Sequence, residues 1–394
     1  MSTAPEQSQH LIVGVVTDPA ELVALQHSWD MLLAASGGGV FNAWEWLVPW
    51  YRHLGADRAL WTLTARTPAG DLVGLWPLAR QTRRAFGRPI RRLAALGETE
   101  VGSDYLDLLA HPAHAAAVRP AFAAALARAG RAWDVLDLLD LPADSPTLPA
   151  LRAAFPSPAW LHEVRERAVC PFERFVPGET FDAFLRRTRR RDNFLRRRRW
   201  LAAQPGFRVD VVTDPAHLAG PLAAFFRLHA LRWAEAGGSE AIVGPAVEAF
   251  HRDAAPLLAA AGRLRLYELR VGEAVVASVY GIVHGGRFHY YLSGADPAWR
   301  DKSVGLVLIG ETFRDALALG LTEYDFLAGA EPYKADWVSQ ERRTVTLRLY
   351  ATAGAGRWLA RQERLVLALR GRLKRTLPAG WVARLRRLPW ARGE

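Results

Sequence analysis

At 394 residues, half of them hydrophobic, the chain is long enough for roughly two domains and carries ample core material, which excludes global disorder. A formal net charge of +11 calls for an anionic partner or for compensation within the fold. The single cysteine, Cys170, excludes an internal disulfide and a thiolate metal cluster, and no stretch offers the roughly 20 uncharged apolar residues of a membrane span.

The polar opening MSTAPEQSQH lacks the basic and apolar regions of a secretory signal, so a reducing cytoplasm is the expected compartment. An apolar run at 11–16 reads as a strand. Asp18-Pro19 then starts a helix on which Leu22, Leu25, Trp29, Leu32 and Leu33 recur at helical spacing. Glycines 37–39 end it, and a second helix is expected over 44–54. Strands follow at 60–65, 72–78, 90–96 and 105–109, then an Ala-rich helix over 113–129, a strand at 133–141, a helix at 146–154 and a strand at 159–168. The second half opens with one long basic helix over 181–203 and a strand at 207–212. Helices running from Asp214-Pro215 to about 235 and over 245–260 precede three strands at 263–270, 274–283 and 287–294, joined by tight turns. A helix at 303–319, strands at 322–327 and 343–350, and a basic amphipathic tail complete the chain.

Both halves run through helices, an antiparallel hairpin, a longer helix and a strand. That order predicts a mixed α/β protein made of two copies of one unit, at 1–170 and 171–352, with a basic helical tail at 353–394. Cys170, in the apolar AVCPF segment with no histidine nearby, reads as buried and inert.

Phosphate-loop, nucleophile-elbow and Cys/His or HExxH metal spacings are absent from the sequence, so no metal is expected. The most informative segment is 290–337, where a strand passes through a turn-rich loop into a helix N-terminus and returns to a strand. Exposed N–H groups at Ser303, Val304, Gly305 and Leu306 make a candidate anion site, with Gly305 permitting close approach and Lys302 adding charge. The returning strand ends in the polar set Asp325, Glu331, Tyr333 and Lys334. A basic block at 186–199, RRTRRRDNFLRRRR, has almost no acidic compensation of its own; Arg187, Arg190, Arg191 and Arg198 fall roughly on one face and suit a polyanion.

The set of motifs resembles the CelD/BcsL family of GNAT-type acyltransferases. In the first half the likeness rests on FNAWEWLVPWYRHLG (41–55), DLVGLWPLARQ (71–81) and LGETEVGSDYLDLL (96–109). In the second it rests on FLRRTRRRDNFLRRRRWL (184–201), HALRW (229–233), SVGLVLIGETFRDALALGL (303–321) and DFLAGAEPYKADW (325–337). It covers nearly all of the chain up to about 350, and the family is similar in turn to Fem-type aminoacyl transferases, which pair two GNAT-like halves. The resemblance implies tandem GNAT-like halves, an acyl-coenzyme A donor (acetyl-CoA above all) and an acceptor amine or hydroxyl on a cell-envelope polysaccharide precursor. One departure stands out: the usual pyrophosphate loop, Gln/Arg-x-x-Gly-x-Gly/Ala, is here Lys302-Ser303-Val304-Gly305-Leu306-Val307, with a single glycine.

Within that reading, Tyr333 is the expected general acid, while Asp325 and Glu331 are the neighbouring carboxylates; several carboxylates suit the base equally. Residues 302–306 with Arg190 and Arg191 are expected at the donor. Lys334, the Asp104–Tyr105 pair, and His229, Arg232 and Trp233, which share one helical face, are expected at the acceptor. Tyr290 and Tyr291 alternate along a strand, so only one, taken as Tyr291, is expected to face the cleft. Two alternatives remain open: a Fem-type transferase using aminoacyl-tRNA, and a non-catalytic partner of a polysaccharide-synthesis complex. The tail is expected to lie on an anionic membrane surface at the cytoplasmic face. No DNA contact is expected.

Overall fold

The computed structural model describes residues 10–234, 242–351 and 354–376, apart from the side chains of 233, 234 and 370–376. The tail tryptophans Trp381 and Trp390 lie outside the described residues. No described helix is long and apolar enough to cross a membrane.

The first half comprises β1 (Ile12–Val16), α1 (Pro19–Ala24), α2 (Gln26–Ser36), α3 (Trp44–Leu54), β2 (Ala59–Leu60), β3 (Thr62–Arg66), β4 (Leu72–Trp76), β5 (Leu78–Ala85) and β6 (Arg88–Ala95). It continues with β7 (Leu109–Ala110), α4 (Ala115–Arg128), β8 (Val135–Pro142) and α5 (Thr147–Ala154). The strand β9 (Trp160–Arg174) leads into α6 (Phe181–Arg187), α7 (Arg191–Ala202), β10 (Arg208–Val212), α8 (Ala219–Ala234) and α9 (Pro245–Ala260). Then come β11 (Leu264–Val271), β12 (Ala274–His284), β13 (Arg287–Ala295), α10 (Val304–Ala318), β14 (Glu323–Asp325), α11 (Pro332–Ala335), β15 (Gln340–Ala351) and α12 (Ala355–Thr376).

One 11-stranded sheet runs through both halves in the order β10-β11-β12-β13-β14-β9-β15-β8-β6-β5-β2, beside a 4-stranded sheet β1-β3-β4-β7. Each half contributes one parallel pair closed by a crossover helix: β6 with β8 through α4, and β13 with β14 through α10. All other pairings are antiparallel. The recurrence of that crossover is the structural form of the repeated order seen in the sequence. The halves are stitched by strands: β9 pairs with β15 over Trp160–Phe172 and with β14 over Phe172–Arg174, and β15 also pairs with β8. Cys170 therefore sits inside a central strand, buried.

On the second-half sheet, α8 and α9 bury one face, sharing a core with Trp46 and Phe41 of the first half, while α6, α7 and α10 bury the other around Phe184, Phe194 and Phe313. The close seat of α10 on α7 depends on Gly310, where a Cβ would overlap the Phe194 ring.

Three expectations need correction. The strand expected at 105–109 shrinks to β7, because Tyr105 takes a left-handed conformation (φ 58°) that an extended strand does not allow. The long basic helix is two helices, broken where Arg189 is left-handed (φ 57°) and the Arg190 N–H bonds back to Leu185 O at 2.9 Å, a helix-ending pattern. Its arginines are also not uncompensated. Arg187 pairs with Glu173 and Glu179, Arg186 and Arg191 with Asp182, Arg190 with Asp336, and Arg198 with Glu311. All of these carboxylates lie outside the basic block, brought in by the fold.

Replacing Gly310 by alanine tests the packing. The gain in helix propensity is outweighed by overlap with Phe194, so denaturant unfolding should show a loss of about 1–3 kcal/mol. Adding Phe194→Leu should restore part of it; strict additivity of the two losses would contradict the contact.

Candidate active site

The site exists because a sheet opens. The parallel pairing of β13 with β14 lasts three residues, from Arg287↔Glu323 to His289↔Asp325. Beyond it β13 stays on β12, while the other chain turns away through Leu327 (φ 59°) and Gly329 (φ 122°) into α11. The β12–β13 register slips between Tyr280/Gly281, opposite Leu292 and Tyr290, so Tyr291 is an extra, bulged residue. Strict alternation is thereby broken. Contrary to the expectation that one tyrosine would face the cleft, Tyr290 and Tyr291 both line it.

The opening is a cavity of about 600 Å³ walled by both halves: Thr99, Gly102, Ser103 and Asp104 from the first, and Arg232, Ser293, Leu327, Glu331, Tyr333 and Lys334 among those from the second. Asp104 lies on its wall, 4% exposed, with Oδ2 accepting the Ala328 N–H at 2.8 Å. Burial, helped by repulsion from Asp140 and Asp325, pushes its carboxyl up to about 7. Asp325 is buried one layer down, where its Oδ1 accepts the Leu327 N–H at 2.7 Å and Tyr105 donates its hydroxyl at 3.1 Å. Burial raises Asp325 as well, to about 6, against the pull of Arg342. Burial drives the phenol of Tyr333 well above its ordinary value, so it stays protonated and has a proton to donate. The Arg232 guanidinium lies 5.5 Å from the centre of the Tyr333 ring and donates to the Ser293 hydroxyl. Lys334 is 3% exposed; its Nζ donates to Ala328 O at 2.9 Å and pairs with Glu331 at 2.9 Å. Gly329 makes room for that pair, since a Cβ there would overlap the Glu331 carboxylate.

A second cavity, of about 470 Å³, lies at the N-terminus of α10 and shares Arg232, Tyr290, Ser293 and Tyr333 with the first. Ser303 enters α10 left-handed (φ 56°) and no side chain caps the helix, so the first-turn N–H groups face the cavity edge unsatisfied by a cap. A Cβ added at Gly305 would meet no atom within 4 Å, which leaves the approach to those groups open.

The fold thus brings together Asp104, His229, Arg232, Tyr291, Glu331, Tyr333 and Lys334 at one cavity, and Ser303, Val304, Gly305 and Leu306 at the other. Other expected residues fall elsewhere. Lys302 turns onto the Trp200 ring, 5.0 Å from its centre, and Arg300 lines the cavity in its place. Arg190 reaches the rim only through Asp336, and Arg191 is held by Asp182. Asp325 and Tyr105 support the wall from behind. The side chain of Trp233 lies outside the described residues. His229 is buried with Nδ1 3.0 Å from Ser293 O, and burial lowers its basicity, which suits a positioning role. Sequence reasoning missed Ser293, Asp140 and Arg167 on the first cavity. Asp140 is left-handed (φ 53°) within β8, a conformation that the strand's sequence pattern does not signal.

The raised carboxyl of Asp104 has a stability consequence. Native Asp104 keeps its proton up to about pH 7, whereas the unfolded carboxyl releases it near 3.8, so the native state is weakened as pH rises between the two values. Asp104→Asn, which preserves an acceptor for Ala328, should be more stable than wild type at about pH 8, with the difference shrinking towards about pH 4. Equal stabilities at both pH values, by denaturant unfolding, would contradict the buried carboxyl.

Comparison with known proteins bears on the fold. A family model described as an acetyltransferase (GNAT) domain matches residues 188–335. Among solved structures, FemX superposes with a TM-score of 0.56 at 12% identity, covering 86% of this chain and 96% of FemX. The DUF2156 C-terminal domain of a protein assigned as a lysylphosphatidylglycerol synthetase, from Agrobacterium fabrum, gives 0.53 at 11% identity, covering 89% and 97%. A conserved protein of unknown function from Bacteroides thetaiotaomicron VPI-5482 gives 0.52 at 12% identity, covering 86% and 100%. No curated protein matches. The chain has the mixed α/β tandem GNAT, Fem-type fold, with a GNAT acetyltransferase domain matched inside its second half.

Proposed function

We propose that the protein transfers an acyl group from acyl-coenzyme A to an amine or hydroxyl of a polar acceptor. One observation carries the reading: two cavities of different chemistry meet at a shared wall of Arg232, Tyr290, Ser293 and Tyr333. The α10 side offers uncapped N–H groups and Arg300 to the donor's phosphates, with Gly305 leaving the approach clear. The Asp104 side takes the acceptor.

The acceptor's nitrogen or oxygen attacks the thioester carbonyl carbon while the Asp104 carboxylate accepts its proton. Arg232, which faces both cavities, is the cation at hand for the oxyanion that forms. When the C–S bond breaks, the departing thiolate takes the phenolic proton of Tyr333, which the wall places on both sides of the reaction. Glu331 and Lys334 position the Tyr333 loop and take no proton in this scheme.

The finer identity we favour is membership of the CelD/BcsL group acting on a cell-envelope polysaccharide precursor in the cytoplasm. It is supported by the ordered motifs of both halves and by the way 96–109 and 325–337 meet at one wall. A tRNA donor is favoured less, because the arginines of 186–199 that would meet a polyanion are largely engaged with carboxylates of the fold.

Turnover with acetyl-CoA and an amine panel should fall by roughly 10²–10⁴ in Tyr333→Phe, with little change in melting temperature. Wild-type activity should rise as pH climbs through about 7, where Asp104 loses its proton, and Asp104→Asn should lose that limb along with most of its rate. Gly305→Val fills the approach to α10 and should weaken coenzyme A binding with the fold intact. Full activity in Tyr333→Phe, or undiminished coenzyme A affinity in Gly305→Val, would refute the scheme.

A further inference from the structure

The side of α12 turned away from the body is not that of an ordinary surface helix. Leu359, Ala360 and Glu363 face inward. The first two pack with Ile90, Val135 and Tyr350, while Glu363 pairs with Arg348 at 3.1 Å and accepts the Tyr350 hydroxyl at 2.6 Å. At about 100° per residue the opposite side carries Arg361, Leu365, Ala368 and Leu369, flanked by Arg357 and Arg364, and all six are exposed. Leu365 is 54% and Leu369 48% exposed. A surface helix normally turns its apolar stripe to the core and its polar groups to water. On α12 leucines stand among arginines on the water side as well.

A second element brings the same chemistry to the same place. The β5–β6 hairpin turns at Phe86-Gly87, and Phe86, 54% exposed, packs edge-on against Trp358 with 6.0 Å between ring centres. Trp358 lies on the helical line of Leu365 and Leu369, so one apolar strip runs from the hairpin tip along α12, about 16 Å from Trp358 to Leu369. The register sets Arg83 opposite Ile90 and Arg88 opposite Ala85, so both arginines share the sheet face that α12 covers. The Arg88 guanidinium lies over the Trp358 ring, 4.8 Å from its centre. Arg83, Arg88, Arg357, Arg361 and Arg364 make no ion pair with the described residues.

Charge selects what covers this strip. The stretch 353–394 holds eleven of the chain's 51 Lys and Arg but two of its 40 Asp and Glu, so nine of the eleven net positive charges reside there. We infer that the outward side of α12 and the β5–β6 hairpin together seat on an anionic lipid surface. The helix carries a charge every few residues and lies along the headgroups rather than across the bilayer. Phe86, Leu365 and Leu369 enter the acyl boundary, while the arginines meet headgroup phosphates with their planar, two-pronged donors. A nucleic acid would satisfy the arginines and leave the leucines in water. A second copy of the chain would bring two stretches of like charge together, which Coulomb repulsion opposes.

The test is sedimentation of the full-length protein with vesicles of mixed phosphatidylglycerol and phosphatidylcholine, and with vesicles of phosphatidylcholine alone. Wild type should pellet with the first and stay in solution with the second, more weakly as salt is raised. Leu365→Ser combined with Leu369→Ser should lower binding to the anionic vesicles by roughly tenfold or more. Both side chains are exposed, so the melting temperature should change little. Arg83→Gln combined with Arg88→Gln should lower binding by a similar factor through the hairpin alone. Leu319→Ser, at a leucine 46% exposed just past α10, should leave binding unchanged, as should Arg196→Gln with Arg199→Gln, an equal charge loss on α7. Absence of wild-type pelleting, full binding by the leucine pair (the pattern a nucleic-acid site would give), or equal loss in the α7 pair overturns the proposal. So does a dimer, by sedimentation equilibrium, that the leucine pair dissociates, because a second copy then covers the face.

Discussion

The separation of β13 from β14 after three paired residues is the constraint on which the site depends. Opening a sheet strands backbone N–H groups in the interior, where an unpaired donor costs about as much as a lost hydrogen bond. Here each finds a substitute: Phe326 N–H goes to Pro171 O at 2.9 Å, Leu327 N–H to Asp325, Ala328 N–H to Asp104, and Gly329 N–H to Val169 O at 3.0 Å. Two of those acceptors are buried carboxylates, one from each half. Burial raises the proton affinities of these same groups, Asp104 to about 7 and Asp325 to about 6, against the lowering effect of the N–H groups they accept. Structural necessity and proton chemistry coincide in these two side chains.

The cleft can be held this tightly because the halves are not independent bodies. A shared aromatic core joins Phe41 and Trp46 to Phe250, His251, Tyr280 and Tyr291. Edge-to-face contacts of this kind add about 0.5–1.5 kcal/mol each beyond area burial and fix orientation. Behind the cavity a buried ionic chain runs from Glu98 through Arg92 and Asp137 to Arg348 and Glu363. Removing one member would leave uncompensated charge in the interior, typically a loss of about 3–5 kcal/mol. It ties the loop before Asp104 to the central strands and to α12.

The net charge of +11 looks different once folded. The arginine-rich stretch spends most of its guanidinium groups bracing α6 and α7 against β9, α10 and α11. Charge density along the chain is thus a poor guide to where an anion binds. What counts is which arginines the fold leaves without carboxylates.

Much of the architecture was legible in local pattern. Alternating and continuous apolar runs marked β11, β12 and β13, the period of Leu22, Leu25, Trp29, Leu32 and Leu33 marked one helical stretch that the structure divides at Leu25 into α1 and α2, and the repeated order of elements announced the tandem unit. The residues at 303–306 and Tyr333 were also legible, because a strand–loop–helix and its returning strand are local features. Beyond local reach lay the bulge that turns both Tyr290 and Tyr291 to the cavity, the break at Arg189, and the meeting of Asp104 with Ala328 across 224 positions of chain. By itself the sequence determined which segments are helices and strands and which faces they bury, since backbone propensity and side-chain periodicity act over a few residues. Which carboxylates share a wall, and which arginines are spent on them, was decided only when the halves packed, because burial and Coulomb interactions depend on distances that no spacing along the chain encodes.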